Sequence, residues 1–509
     1  MAPPSAPPRP SNVSSALASG RLGIPSVVFF VLSAAAPLTV VAGVVTTGFA
    51  VTGVTGIPLA FLLIGAVLAL FSVGYVAMAR HTANAGAFYA YVTRGLGRPA
   101  GVGAAWVALI AYNALQVGLY GAVGAAAAPV LEQFFGLHDP SWWVIALVAW
   151  AVVAGLGVLR VDINGMVLAV LLLAEIAIIV AFDLADLLSP AGGRMSFETL
   201  APENLFVPGV GAILVLAATG FTGFESAVVF SEESKDPKRT VPVATYLSVA
   251  IIAGLYALSA WAMTVATGPD KIVEASRTEQ VGLIFVLADG NLGGSFVSIG
   301  QVLFLTSVLA AMISFHNTTA RYTFALGRER VLPAIFGRTA PRTGAPRAAS
   351  IAQSVFGLVV IAVYAAAGWD PLVQLFYWGG TTGGFGVLLL ITATSVAVIA
   401  FFARNPSGES AWHRVVAPGL ATVILATIVF IALDNFAILL GVAPDSVLRW
   451  ALPAVYPVAA VLGVVWALLL RSRRPEVYET IGLGPESVTA GLTASAAAAR
   501  QPVAPEVRR

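Results

Sequence analysis

Long apolar runs recur along almost the whole chain, and no other feature constrains its fold as much. About twelve reach the length of a membrane-spanning helix: residues 24–50, 56–80, 100–131, 141–160, 164–188, 207–231, 243–268, 295–320, 347–368, 372–402, 414–440 and 446–470. We refer to them as segments one to twelve. Of the 509 residues, 58% are hydrophobic and 10% charged. No soluble core hides that much apolar surface, so an all-α polytopic protein embedded in a lipid bilayer is expected. The net charge of +2 leaves no basic stripe for nucleic acid. The chain has no cysteine, which excludes disulfides, thiolate nucleophiles and a disulfide-linked subunit. His81, His138, His316 and His413 are scattered without ligand spacing, so neither a metal nor a cofactor is expected.

Basic residues report topology. With the N-terminus inside, Arg80, Arg94, Arg98, Arg160, Lys235, Lys238, Arg239, Arg404, Arg414 and the cluster from Arg321 to Arg347 fall on the inner side. Only Arg194, Lys271, Arg277 and Arg449 fall outside. Cytoplasmic loops carry the excess of Lys and Arg, so both termini are expected in the cytoplasm and the protein in the cell membrane. The compositionally biased residues 1–20 and 472–509 read as disordered cytoplasmic tails.

Segments one and six are interrupted. The first reads "VLSAAAPLTVVAG" from Val31, with Pro37 in mid-membrane, and the second "AATGFTGFESA" from Ala217, with Gly220 and Gly223. They run in opposite directions and open two blocks of five segments. Broken helices at matching positions in two halves point to an inverted-repeat transporter, although Gly and Pro also serve packing and kinking. The predicted organisation is a first repeat over 21–190 (segments one to five), a second over 205–403 (segments six to ten), and segments eleven and twelve added over 414–470.

A broken helix leaves N–H groups at one half-helix start and C=O groups at the other half-helix end without intrahelical partners. In a membrane these must face protein, water or ligand. An α-amino acid supplies both complements, a carboxylate for the positive helix start and an ammonium for the carbonyls. Pro37 fits the first position of a restarting helix. Thr222 and Glu225 fit a capping box for the restart in segment six. Glu225 is also an intramembrane acid, and such acids are functional by default. Asn113 and Gln116 share a face of segment three and are candidates either for interhelical hydrogen bonds or for contact with a substrate side chain. No G-x-S-x-G or H-E-x-x-H pattern suggests an enzyme, and no repeated filter loop suggests a channel.

The run "FTGFESAVVFSEESKDPKRTVP" from Phe221 closely resembles the segment-six signature of the amino acid–polyamine–organocation superfamily. "FHNTTARYTFALGRERVLP" from Phe315 is similar to its segment-eight exit, and "AGAFYAYVTRGLGRPAGVGAAW" from Ala85 to the loop after its segment two. The resemblance covers roughly residues 24–470. It implies the five-plus-five inverted-repeat fold first known from the sodium-coupled leucine transporter, and secondary transport of amino acids or related amines. By position it implies that a substrate ammonium meets carbonyls around Ala218, Thr219, Gly220 and Thr222, with Phe221 flanking. The carboxylate would meet Ala35, Ala36, Pro37, Leu38, Thr39 and Val40, where relatives carry G-[ST]-G instead of alanines. Relatives often place a lysine in segment five, and the aligned position here is Glu175, with Ser314 the segment-eight hydroxyl facing it. Glu175 is thus a candidate proton site, or else a hydrogen-bonded packing residue. The expectation is proton-coupled uptake of a neutral or apolar amino acid by alternating access. The alternatives are a polyamine or other organic-amine permease, or an amino acid exchanger.

Overall fold

The computed structural model describes residues 20–82, 86–158, 161–341, 343–406 and 408–487, with backbone only for 161–168. The expected tails lie outside these residues over 1–19 and 488–509. Each predicted segment coincides with a helix or an interrupted pair of helices. Among the described residues nine helices are long and apolar enough to cross a membrane, while Trp142–Gly157 and Val210–Gly220 are apolar but shorter. Segment five is the helix Val161–Leu188. β pairing among the described residues is confined to an isolated bridge between Leu22 and Ser234.

Proline placement explains many of the helix starts. Pro25, Pro58, Pro99, Pro237 and Pro418 all stand in first turns, where a missing N–H costs little. The helices bury one side and leave large apolar side chains on the other, such as Val148 (63% exposed), Val423 (67%) and Leu462 (62%). That is an outer surface suited to lipid rather than water. Segment three, Arg98–Phe135, is the longest helix and packs against segments eight, ten and twelve. Segment two packs along segment seven, where Gly65 brings the two together at Ala253.

Segment one is broken where expected. Helix Ile24–Ala35 stops at Ala36, which takes a left-handed conformation (φ 46°, ψ 70°), and the chain restarts at Pro37–Thr39. A wider π-helical turn, Val40–Val45, leads into Thr46–Thr52. An alanine in this region costs about 1–2 kcal/mol that a glycine would not, and the surrounding packing enforces it. Segment six differs from expectation. Helix Val210–Gly220 ends in consecutive turns, and the restart, Ser226–Val229, is only four residues long before a 3-10 turn over Ser231–Glu233.

The C-terminal stretch also differs. Residues from 472 were expected to be disordered, yet segment twelve runs on to Arg473 and a further helix, Pro475–Thr480, follows. Val477 and Ile481 are buried, anchors that the overall polar composition of the stretch conceals.

Candidate functional site

The two breaks touch. Gly223 lies at φ 117°, and a Cβ built there would stand 2.7 Å from the Cβ of Ala34 and 3.1 Å from the nitrogen of Ala35. Only glycine lets these backbones approach so closely at that φ. Gly223→Ala is therefore expected to cost about 1–3 kcal/mol and to separate the breaks, measured as a lower melting temperature together with lost substrate binding.

Beside this contact opens a cavity, part of it continuous with solvent. Segment one supplies Ala34, Ala35, Ala36, Thr39 and Val40, and segment six supplies Leu216, Thr219 and Thr222. Leu115, Gly118 and Leu119 of segment three, Ala311 and Phe315 of segment eight, and Phe376, Tyr377 and Gly380 of segment ten also line it, as does Val44 of segment one. No charged side chain lines it among the described residues. The hydroxyls of Thr222 and Tyr377 are buried without a protein partner, and both residues line the cavity.

Several expected site residues stand elsewhere. Pro37 and Leu38 are buried behind the wall, and Ala218 faces a smaller crevice against segment two. Gly220 packs on Val40 and Phe61. Phe221 does not flank the cavity, because its ring sits among Phe61 and Tyr256, 6.3 and 6.4 Å between centroids. Asn113 donates to the Leu109 carbonyl at 2.7 Å and accepts from Gln353 of segment nine at 2.9 Å. Gln116 donates to the Tyr120 hydroxyl at 3.4 Å. Both are thus turned into helix contacts, and the adjacent apolar face of segment three meets the cavity.

Glu175 reaches the first break. The Leu38 N–H donates to its Oε1 at 2.5 Å, and the Ser307 hydroxyl donates to the same oxygen at 2.7 Å. Thr39 donates its N–H to Ser307 at 3.3 Å and pairs hydroxyl to hydroxyl at 3.0 Å. The first donors of the restarted helix are therefore taken by segments five and eight. This places an acid at the positive end of a half-helix, where an anion is favoured. Ser314, the residue expected opposite Glu175, instead donates to the Phe30 carbonyl at 3.4 Å, seven residues further along the same helix. Tyr256 donates to the Ala35 carbonyl at 2.9 Å, occupying one end of the break.

The capping box expected at Thr222 and Glu225 does not form, since the Thr222 N–H donates to the Thr219 carbonyl at 3.0 Å. The Oε2 of Glu225 accepts instead from the Gly223 N–H at 2.9 Å, the Thr222 hydroxyl makes no reciprocal bond, and the helix restarts later, at Ser226. Tyr112 donates to the Oε1 of Glu225 at 2.6 Å and Tyr75 to its backbone carbonyl at 3.0 Å. The carboxylate lies one layer beneath the cavity, since Phe315 on the wall packs on Tyr112 at 6.3 Å between centroids.

Beyond that layer the end of the bundle where Leu22 bridges to Ser234 is shut. Phe30 stacks on Phe230 at 4.5 Å, with the Arg321 guanidinium 4.7 Å above the latter ring. Arg321 makes a two-bond pair with Glu233 (2.9 and 3.0 Å), and Arg328 another with Glu232 (both 2.8 Å). These join segment eight to the end of segment six. The partners of these acids thus stand on segment eight and not in the adjoining basic loop Lys235–Arg239. Nothing in the local sequence signals that pairing, which spans about ninety residues of chain.

A many-helix apolar bundle with two broken helices meeting beside a cavity is a polytopic membrane protein by architecture. The chain belongs to the amino acid permease family, whose sequence model matches residues 22–468, and so to the amino acid–polyamine–organocation superfamily. It is 26% identical over 345 residues to the "Low-affinity putrescine importer PlaP" of Escherichia coli strain K12, covering 65% of this chain and 70% of that one. It is 24% identical over 309 residues to the "Uncharacterized amino acid permease YecA" of Bacillus subtilis, 58% of this chain and 67% of the relative. Against "Cationic amino acid transporter 4" of Homo sapiens it is 28% identical over 213 residues, 40% of this chain and 31% of the relative. The protein is an amino acid or amine transporter of this family.

Proposed function

We propose that the protein takes up a neutral or apolar amino acid across the cell membrane by alternating access, driven by protons, with both termini cytoplasmic. The repeats 21–190 and 205–403 form the inverted pair, with the cavity between them. The observation that carries the reading is the hydrogen-bond chain from cavity-lining Thr39 through Ser307 to Glu175. A charged Glu175 holds the restarted half of segment one against segments five and eight. A proton on it removes the charge from that bond and loosens the hold. The two unpartnered hydroxyls of Thr222 and Tyr377 supply polar groups for the amino acid head.

The uncharged wall supports a neutral side chain, because a second cationic end would be buried without a counter-charge. The relatives' names include a putrescine importer and cationic amino acid transporters, so the competing reading is an organic amine. That reading requires Phe315 to move aside and expose Glu225. Thermal-shift screening of the purified protein separates the two, with stabilisation by neutral amino acids expected. Stabilisation by polyamines alone would overturn the proposal. Within the same assay, Thr222→Val is expected to weaken binding about tenfold, the worth of one hydrogen bond of ~1–1.5 kcal/mol.

A further inference from the structure

The chain beyond segment twelve folds back onto the closed face. After Arg473 it turns into helix Pro475–Thr480, then crosses the end of segment eight. There the N–H groups of Gly482 and Gly484 donate to the carboxylate of Glu329 at 2.6 and 2.7 Å. The hydroxyl of Tyr89, on the loop helix Phe88–Leu96 between segments two and three, donates to the same carboxylate. Glu329 is fully buried. On the outer side Arg98 donates to the Glu479 carbonyl at 2.9 Å and lies 5.3 Å over the Tyr478 ring.

Glu329 therefore ties three separate elements into one knot, and its chain neighbour is Arg328, which pairs with Glu232 at the end of segment six. Opening this face requires segments six and eight to part. The same movement would carry Glu329 away from the tail or drag the tail with it. Besides these bonds the attachment rests on the buried side chains of Val477 and Ile481, and an open crevice runs beside it, lined by Thr93, Arg94, Arg98 and Tyr478. Gly482 is needed for the fit, since it lies at φ 81° and a Cβ there would collide with the Thr93 side chain.

We propose that residues 475–487 are a latch that holds this face of the transporter closed, with Glu329 as the catch, so that release of the tail favours the conformation open on the side of the termini. The inference rests on the alternating-access reading, but it is tested by accessibility rather than by uptake, so the two can fail separately.

The chain has no cysteine, so a single introduced thiol reports one position. Ala227→Cys places a buried reporter in segment six between the break and the ion pairs. Val44→Cys places another on the cavity wall. Maleimide labelling would be followed in full-length protein in nanodiscs, in the same protein with Gly482→Ala, and in a chain ended at Arg474. Release of the latch is expected to speed labelling at position 227 about tenfold and to slow it at 44, as a population shift requires. Glu329→Gln should act in the same direction, more weakly. Unchanged labelling at 227 in monodisperse Gly482→Ala protein would overturn the proposal. So would a parallel rise at both positions, which is general loosening rather than a shift between states.

Discussion

Glu175→Gln is expected to abolish proton-driven accumulation while leaving substrate binding in place. One pH unit is worth about 1.4 kcal/mol, so a carrier moving one proton per substrate sustains roughly tenfold accumulation per unit of gradient. Without the titrating group, the ratio falls to about one whatever gradient is imposed. Glutamine keeps an oxygen for the Leu38 N–H and the Ser307 hydroxyl, so the break stays built. Affinity should accordingly remain within about threefold of the parent. Radiolabelled uptake into proteoliposomes across an imposed pH gradient measures the ratio, and an accumulation unchanged by the substitution would remove Glu175 from the coupling role.

The second large effect concerns the closed face. Arg321 and Glu233 are both nearly inaccessible, with side chains 3% and 2% exposed. Removing one member of such a pair leaves the other charge buried and uncompensated, at a cost of about 3–5 kcal/mol, whereas removing both costs far less. Arg321→Gln alone should therefore destabilise the closed-floor state and lose most transport. Adding Glu233→Gln should recover much of the lost thermal stability. Melting temperatures of the two single variants and the double variant form the cycle. A double variant no more stable than Arg321→Gln would mean that the pair is not what closes this end.

The parts of the site that could be read from the chain are those set by local chemistry. Alanines followed by Pro37, and Gly220 and Gly223 flanking a threonine, announce interrupted helices because their backbone consequences do not depend on distant residues. Register between helices was not readable. Ser314 and Ser307 are seven residues apart and share a helix face, so the expected hydroxyl lay on the right face and two turns from the one that meets Glu175. Asn113 and Gln116 mark the right helix but the wrong face, because polar residues in a membrane bundle are as useful for joining helices as for holding ligand. Arg321 and Arg328 stand out in the sequence as basic residues and as part of the segment-eight run, but their pairing with Glu233 and Glu232 does not, since those partners stand about ninety residues away. The docked tail is not legible in the sequence because its two apolar anchors, Val477 and Ile481, are diluted in a polar stretch.

Proton coupling is measured as proton movement triggered by substrate in proteoliposomes that hold the wild-type protein and a pH-sensitive dye inside. With no gradient imposed at the start, adding a neutral amino acid outside should acidify the lumen, in proportion to substrate taken up and saturably. The same addition to Glu175→Gln vesicles should move no protons. Saturable amino acid uptake without proton movement in the wild-type protein would rule out proton-coupled transport.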